Sequence, residues 1–386
     1  MEHELIGLEI VVILVLILIV MMWDQLPILQ HIPSSVAAMC LGIIVSVCWQ
    51  DTGDAPFLFA PELFLYILLP PILLNSAFKF NISDLKQTWL SSLTFGLLGT
   101  ALVVILIAWG IVVWTSLMDL SIPWVDALMI ASILAPTDTV ATLSLSKTLD
   151  DTFISSVLEN ESIINDALSV VLVRLFATMS ANHQALNRWV PVRAIGTSVL
   201  YMFIACLIGI FFAFAVRTIK IKTVHVHFII AMCTYAFCEY IGISGIVGLF
   251  SYGCMVNPPE KVMSSIEGVS VVVEAYVYLT LGFAVRAYER EMLFVSCLIL
   301  FSCIVSRVAI VFVLGFCLRL LGRKQWTVRS TLFVSMCGIR GAISFALCMG
   351  LRSNYSSMIV SSTLVTIVAT TILMGSLQKC MQKVLL

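Results

Sequence analysis

The residues best placed to do chemistry are Glu161-Ser162-Ile163-Ile164-Asn165-Asp166, a polar run inside the otherwise apolar segment 152–180. At helical spacing Glu161 and Asn165 are one turn apart, as are Ser162 and Asp166, so the four project toward one face. Such a face is a cation-sized cluster of oxygens, and hard oxygen donors suit a small dehydrated cation. Ionisable groups at that depth in a membrane helix are costly, which marks them as functional. Asp166 is the expected carrier. Desolvation favours its neutral, protonated form and a bound cation favours its ionised form, so proton and cation compete for one carboxylate.

Two interrupted segments stand on either side of this run. One contains Ala135-Pro136-Thr137-Asp138-Thr139 and the other Cys337-Gly338-Ile339-Arg340-Gly341. Pro136 stops continuous hydrogen bonding, so backbone groups are left open in the middle of a membrane segment and need partners. The Thr137 hydroxyl or carbonyl can face a cation, and Asp138 is evenly balanced between ion contact and neutralising the positive end of a half-helix. The expected ion-binding set is therefore Asp166, Asn165, Ser162, Thr137 and Asp138, with Asp166, Ser162 and Thr137 as the sodium ligands. Arg340 can serve a carbonyl end or pair with a carboxylate, and a buried Glu161–Arg340 pair is expected. A second pair, Glu274 with Arg307, would lower the cost of both charges. Asn165 is expected to bridge the two broken helices, and Arg174 to snorkel toward an interface.

The elements that must hold these residues are membrane helices. Hydrophobic residues make up 61% of the 386 and charged residues 11%, against about 25% charged in an average soluble chain. Mean hydropathy is +1.08. Crossing a bilayer as a helix takes about 17 to 25 apolar residues. Thirteen segments are read this way: 5–23, 34–49, 57–75, 89–114, 124–146, 152–180, 191–216, 224–240, 243–256, 265–286, 292–319, 326–350 and 356–378. The loops on alternate sides then carry thirteen basic residues against five. That asymmetry places the C-terminus in the cytoplasm and the N-terminus outside or in a lumen. The first apolar run has an acidic start and no cleavage signal, so it reads as a retained helix.

No linker or charge run bounds a soluble domain, so residues 1–386 read as a single membrane transport domain. The twelve cysteines are scattered through apolar segments and behave as small hydrophobes. The five histidines include only His225 and His227 close together, which read as interfacial rather than as a metal site. No resident cofactor, no enzymatic activity and no nucleic-acid partner are expected. Helix breakers at matching places in two halves point to inverted repeats around a midplane site. Spans one to six would mirror eight to thirteen, with the seventh as connector.

Together these residues resemble the sodium/proton exchanger family, within the monovalent cation:proton antiporters, along essentially the whole chain. Phe64 to Pro71 looks like that family's third-helix signature and Leu98-Gly99-Thr100 its fourth. Glu161 to Asp166 matches the Asn-Asp ion-binding helix, and Gly338 to Ile343 matches the Gly-Leu-Arg-Gly-Ala broken-helix motif. Ile243-Ser244-Gly245-Ile246 and Arg307 also fit. Two positions depart: Asp138 is followed by Thr139 rather than proline, and Asn75 stands where an acidic residue is usual.

The resemblance implies an all-α polytopic membrane protein of about thirteen transmembrane helices, in two inverted six-helix repeats with breaks in spans five and twelve. It implies a homodimer with residues 1–80 and 191–290 as dimer scaffold and 81–190 and 291–386 as a mobile ion-transporting core. The implied activity is electroneutral sodium/proton antiport by alternating access, serving pH regulation, with potassium or lithium as other cations the site could admit. Potassium/proton exchange and cation-coupled solute uptake are the nearest alternatives, and a transport-dead scaffold or sensor is a third. A regulatory tail or accessory subunit outside this chain is allowed for. Asn354-Tyr355-Ser356 is a glycosylation sequon expected to face outward.

Overall fold

The computed structural model describes residues 2–23, 33–48, 61–80, 82–138, 152–181, 190–221, 223–287, 292–323, 325–351 and 355–385. Every regular element among them is helical. In chain order the helices are α1 (Glu2–Trp23), α2 (Ser34–Cys48), α3 (Leu69–Lys79), α4 (Ile82–Leu93), α5 (Thr100–Ser116), α6 (Trp124–Ile133), α7 (Thr152–Ala181) and α8 (Val190–Ile219). They continue with α9 (Val224–Tyr240), α10 (Gly245–Val256), α11 (Glu260–Phe283), α12 (Leu293–Leu320), α13 (Val328–Met336), α14 (Ala342–Met349) and α15 (Ser356–Leu385). Six helical stretches among the described residues are long and apolar enough to cross a membrane: Lys86–Ser116, Phe153–Ala181, Val199–Ile219, Glu260–Phe283, Leu293–Leu320 and Ser356–Met374. Shorter apolar helices precede the first of these or lie between them.

Local sequence explains where the helices deform. α3 is preceded by a widened π-turn at Phe64–Leu68. Pro70 and Pro71 have no N–H to offer the carbonyls of Tyr66 and Ile67, so the ordinary helical bond pattern cannot run through them. A second π-turn, Thr94–Gly99, joins α4 to α5. Here α7 presses close: a Cβ on Gly96 would stand 2.7 Å from Cβ of Ile164 and 3.3 Å from the Glu161 carbonyl oxygen. Only a residue without a side chain lets α7 approach this far.

The chain divides into two compact units. One comprises Met1–Leu58, Asp84–His183 and Tyr278–Leu386, the other Phe59–Ser83 and Gln184–Val277. The second unit is organised around α10, whose N-terminus is capped by Ser244 and additionally takes Glu239, whose Oε1 accepts from the Gly245 N–H at 2.8 Å. His227 is buried there rather than interfacial, with Nε2 3.1 Å from the Ile221 carbonyl oxygen and Nδ1 3.3 Å from the Tyr252 hydroxyl. On its surface Lys79 pairs with Glu267 at 2.6 Å.

The first unit carries the polar residues singled out above. Its interior is anchored by Trp326, almost wholly buried, whose indole N–H donates to Ser91 Oγ at 3.1 Å and whose ring packs on Phe95 and Phe153. A polar triad lies close by, where the Asn160 amide donates to Thr88 Oγ1 at 3.1 Å and Ser92 Oγ at 3.3 Å. Hydrogen bonding of this kind makes polar burial tolerable between helices that have no water to turn to.

Candidate ion-binding site

At both interruptions read from the sequence the helix stops. α6 ends at Ile133 and residues 135–138 leave the helix, as the missing N–H of Pro136 requires. α13 ends at Met336, residues 338–341 are non-helical, and α14 begins at Ala342. Thr139, where the first break departs from the family pattern, lies outside the described residues, as does Asn354 of the sequon. The two breaks touch through their backbones: the Asp138 N–H donates to the Ile339 carbonyl at 2.8 Å.

Charged side chains close the open helix ends. The Arg340 guanidinium donates to the carbonyl oxygens of Ala135 and Pro136, placing a cation on the negative end of α6. Arg307 donates to the Val334 carbonyl at 3.2 Å, serving the end of α13 in the same way. Asp138 lies against the first residues of α14, where a Cβ on Gly341 would stand 2.8 Å from the Asp138 Cγ. A carboxylate there suits the positive end of a half-helix.

The ion pairing differs from the sequence expectation. Glu161 pairs with Arg307, not with Arg340. Arg340 is taken up by two backbone carbonyls from the first break, which need a donor because proline and the chain turn leave them open. Glu274, expected opposite Arg307, instead accepts from the Ser270 hydroxyl one turn earlier, at 2.6 Å. Periodicity along one helix could place these charges in the interior, but it could not decide which of two arginines a carboxylate meets.

Around the first break the structure brings Thr137, Ser162 and Asn165 together. The Thr137 hydroxyl lies 3.1 Å from Ser162 Oγ, Asn165 Nδ2 donates to Thr137 Oγ1 at 2.6 Å, and the Thr137 N–H donates to Asn165 Oδ1 at 3.4 Å. Asn165 therefore spends both its carbonyl and its amide on the first break and does not bridge the two. The second break is held from another helix: the Arg340 N–H donates to Thr370 Oγ1 of α15 at 3.1 Å. Asp166, one turn beyond Ser162, is buried, and its Oδ1 has no hydrogen-bond partner. Glu161 Oε2 and the Nε atoms of Arg307 and Arg340 also lack partners, but each of those groups is already paired or donating elsewhere. An unsatisfied carboxylate oxygen one helical turn from a hydroxyl pair is an arrangement that can accept a small cation or a proton. Asp138 lies within electrostatic reach of Asp166, and its own Oδ2 accepts from the Tyr278 hydroxyl. Arg174 lies exposed on α7.

Two participants had no place in the sequence reading. Thr370 belongs to a run of buried hydroxyls on α15, Ser361, Ser362, Thr363, Thr366, Thr370 and Thr371, and such a run in an apolar helix is a usable signal. Tyr278 is one tyrosine among several in apolar helices, and nothing in the sequence separates it from its neighbours.

The family described as "Sodium/hydrogen exchanger, transmembrane" matches residues 11–382. The chain belongs to the sodium/hydrogen exchanger family. Its relatives include sodium/hydrogen exchanger 1 of Oryza sativa subsp. japonica, 23% identical, with 92% of this chain and 74% of that protein aligned. Sodium/hydrogen exchanger 8 of Mus musculus is 25% identical over 90% of this chain and 66% of its own length. Sodium/hydrogen exchanger 1 of Dictyostelium discoideum is 25% identical, and there the chain spans 55% of the relative. The fold is similar to that of the sodium proton antiporter MjNhaP1 from Methanocaldococcus jannaschii, with a TM-score of 0.77, 18% identity and 99% of each chain covered. This exchanger-family chain is thus an all-helical, multi-pass membrane protein, and its family is one of transporters.

Proposed function

We propose that the chain is an electroneutral sodium/proton antiporter working by alternating access, in which Asp166 binds either one sodium ion or one proton. The buried, unpartnered Oδ1 of Asp166, one turn along α7 from the Ser162 hydroxyl that meets Thr137, carries this reading. Sodium would be held by Asp166, Ser162 and Thr137, with Asn165 fixing Thr137 and Asp138 behind them. Empty and charged, the site would be reluctant to cross a low-dielectric barrier, so that exchange rather than leak follows. Asn165 cannot ionise, so one proton balances one cation.

The architecture proposed with it is about thirteen spans in two inverted six-helix repeats, arranged as a homodimer in the bilayer. Residues 1–80 and 191–290 form the scaffold and 81–190 and 291–386 the moving core, with the N-terminus outside or lumenal and the C-terminus cytoplasmic. The activity serves pH regulation. The sodium/hydrogen exchangers among the relatives and the shared family support this reading, as does the matched fold.

The test is proton flux in proteoliposomes under imposed sodium or potassium gradients. Proton movement driven by a sodium gradient and insensitive to membrane potential is expected. Flux driven by potassium alone would assign potassium/proton exchange instead, and no flux with either cation would point to a transport-dead scaffold.

A further inference from the structure

Besides Glu161, which is paired with Arg307, the region holds two carboxylates, yet the proposed cycle uses one. The geometry points to Tyr278 as the specificity-determining residue that makes this so: by donating its hydroxyl to Asp138 Oδ2 it withholds the second carboxylate from the transported cation. Asp166 is left as the one anionic ligand. An ionised carboxylate only accepts hydrogen bonds, so the phenol is the donor, and a charge-assisted bond of this type is among the stronger ones.

Three further observations fix the arrangement. Tyr278 is 4% exposed, so its hydroxyl is shielded from bulk solvent. The end of α11 cannot roll away, because one turn past Tyr278 the helix crosses α2 at a glycine pair. A Cβ on Gly42 would stand 3.0 Å from Gly282 Cα, and a Cβ on Gly282 would stand 3.0 Å from the Ile43 nitrogen. Asp138 cannot swing free either, since its N–H is bound to the Ile339 carbonyl at 2.8 Å and its carboxylate lies against Gly341. A side chain at 341 would push it out. The carboxylate is thus clamped between the second break and the phenol, while Asp166 beside it keeps an open oxygen.

The chemical consequence follows from charge. One carboxylate with neutral hydroxyls matches one monovalent cation, whereas two would leave the loaded site anionic and hold the ion more tightly. Tyr278 would accordingly keep sodium binding weak enough for release. This inference rests on the sodium-binding role proposed for Asp166.

The experiment is radiolabelled sodium binding by the purified full chain in detergent, alongside sodium-driven proton flux, for wild type, Tyr278→Phe, Asp138→Asn and the double variant. Tyr278→Phe should bind sodium roughly tenfold more tightly, the scale of one charge-assisted contact released to the ion. It should also lower both the KM for sodium and the maximal rate. In the Asp138→Asn background the phenylalanine substitution should give no gain. Tyr278→Gln, which keeps a donor, should bind sodium as wild type does, and it serves as the second variant should the phenylalanine protein not assemble. Unchanged or weaker binding in Tyr278→Phe, a gain that persists without the Asp138 charge, or a gain in Tyr278→Gln would overturn the inference. Wild-type protein that binds no sodium would overturn the proposed function and this inference with it. Wild-type binding that Tyr278→Phe leaves unchanged overturns this inference alone.

Discussion

The two interruptions use the same construction with different chemistry. In each, a backbone N–H in the break is taken by a side chain from the following long helix: Thr137 by Asn165 of α7, and Arg340 by Thr370 of α15. In each, an arginine donates to a carbonyl at the end of the helix that leads into it. The next residue is where they part. Asn165 is followed by Asp166, a buried carboxylate, and Thr370 by Thr371, a buried hydroxyl. A break supplies open backbone and fixed dipoles whatever its neighbours, but it becomes a carrier of charge only where an ionisable group sits beside it. By this account one break binds the ion and the other braces it.

That contrast can be broken most severely at Asp166. Asp166→Asn keeps the volume and removes the exchangeable charge, so sodium-driven proton flux in liposomes should fall to background while size-exclusion behaviour stays that of wild type. Exchange at the wild-type rate would move the carrier elsewhere, with Asp138 next in line.

The brace is tested at the pair that joins α7 to the second break. Glu161→Gln or Arg307→Met alone leaves one buried charge without its partner and should cost about 3 to 5 kcal/mol of stability. The double change should cost less than either single one. Thermal melts of the four proteins measure this, and additive losses would mean that the two charges do not depend on one another.

Smaller effects should separate the two capping residues. Asn165→Ala strands the buried Thr137 N–H and should cost about 1 to 3 kcal/mol. Because Thr137 is also a proposed ligand, sodium affinity should weaken with it. Thr370→Val removes the matching bond at the second break for about 1 kcal/mol, and sodium affinity should hold. Equal losses of affinity in the two variants would erase the distinction between binding and bracing breaks.

Much of this was legible in the sequence because membrane burial makes polar residues conspicuous. Pro136 and the Gly338 to Gly341 stretch marked the breaks, and the Glu161 to Asp166 run marked the site helix, since each violates the apolar pattern around it. Partner choice was not legible. Glu161 meets Arg307 rather than Arg340 because Arg340 is claimed by the carbonyls of Ala135 and Pro136, a competition decided in three dimensions. Nor did spacing along α7 show that Asn165 would give both its bonds to Thr137. Tyr278 was invisible for a simpler reason: a tyrosine in an apolar helix is ordinary until its hydroxyl is found on a carboxylate.

The central claim is that one carboxylate holds either a sodium ion or a proton. It is tested most directly by counting protons released when sodium is added to the purified protein in weakly buffered detergent solution. The account predicts one proton released per sodium bound, a sodium affinity that weakens as pH falls, and no release from Asp166→Asn. Sodium binding that displaces no proton, or displaces two, would contradict it.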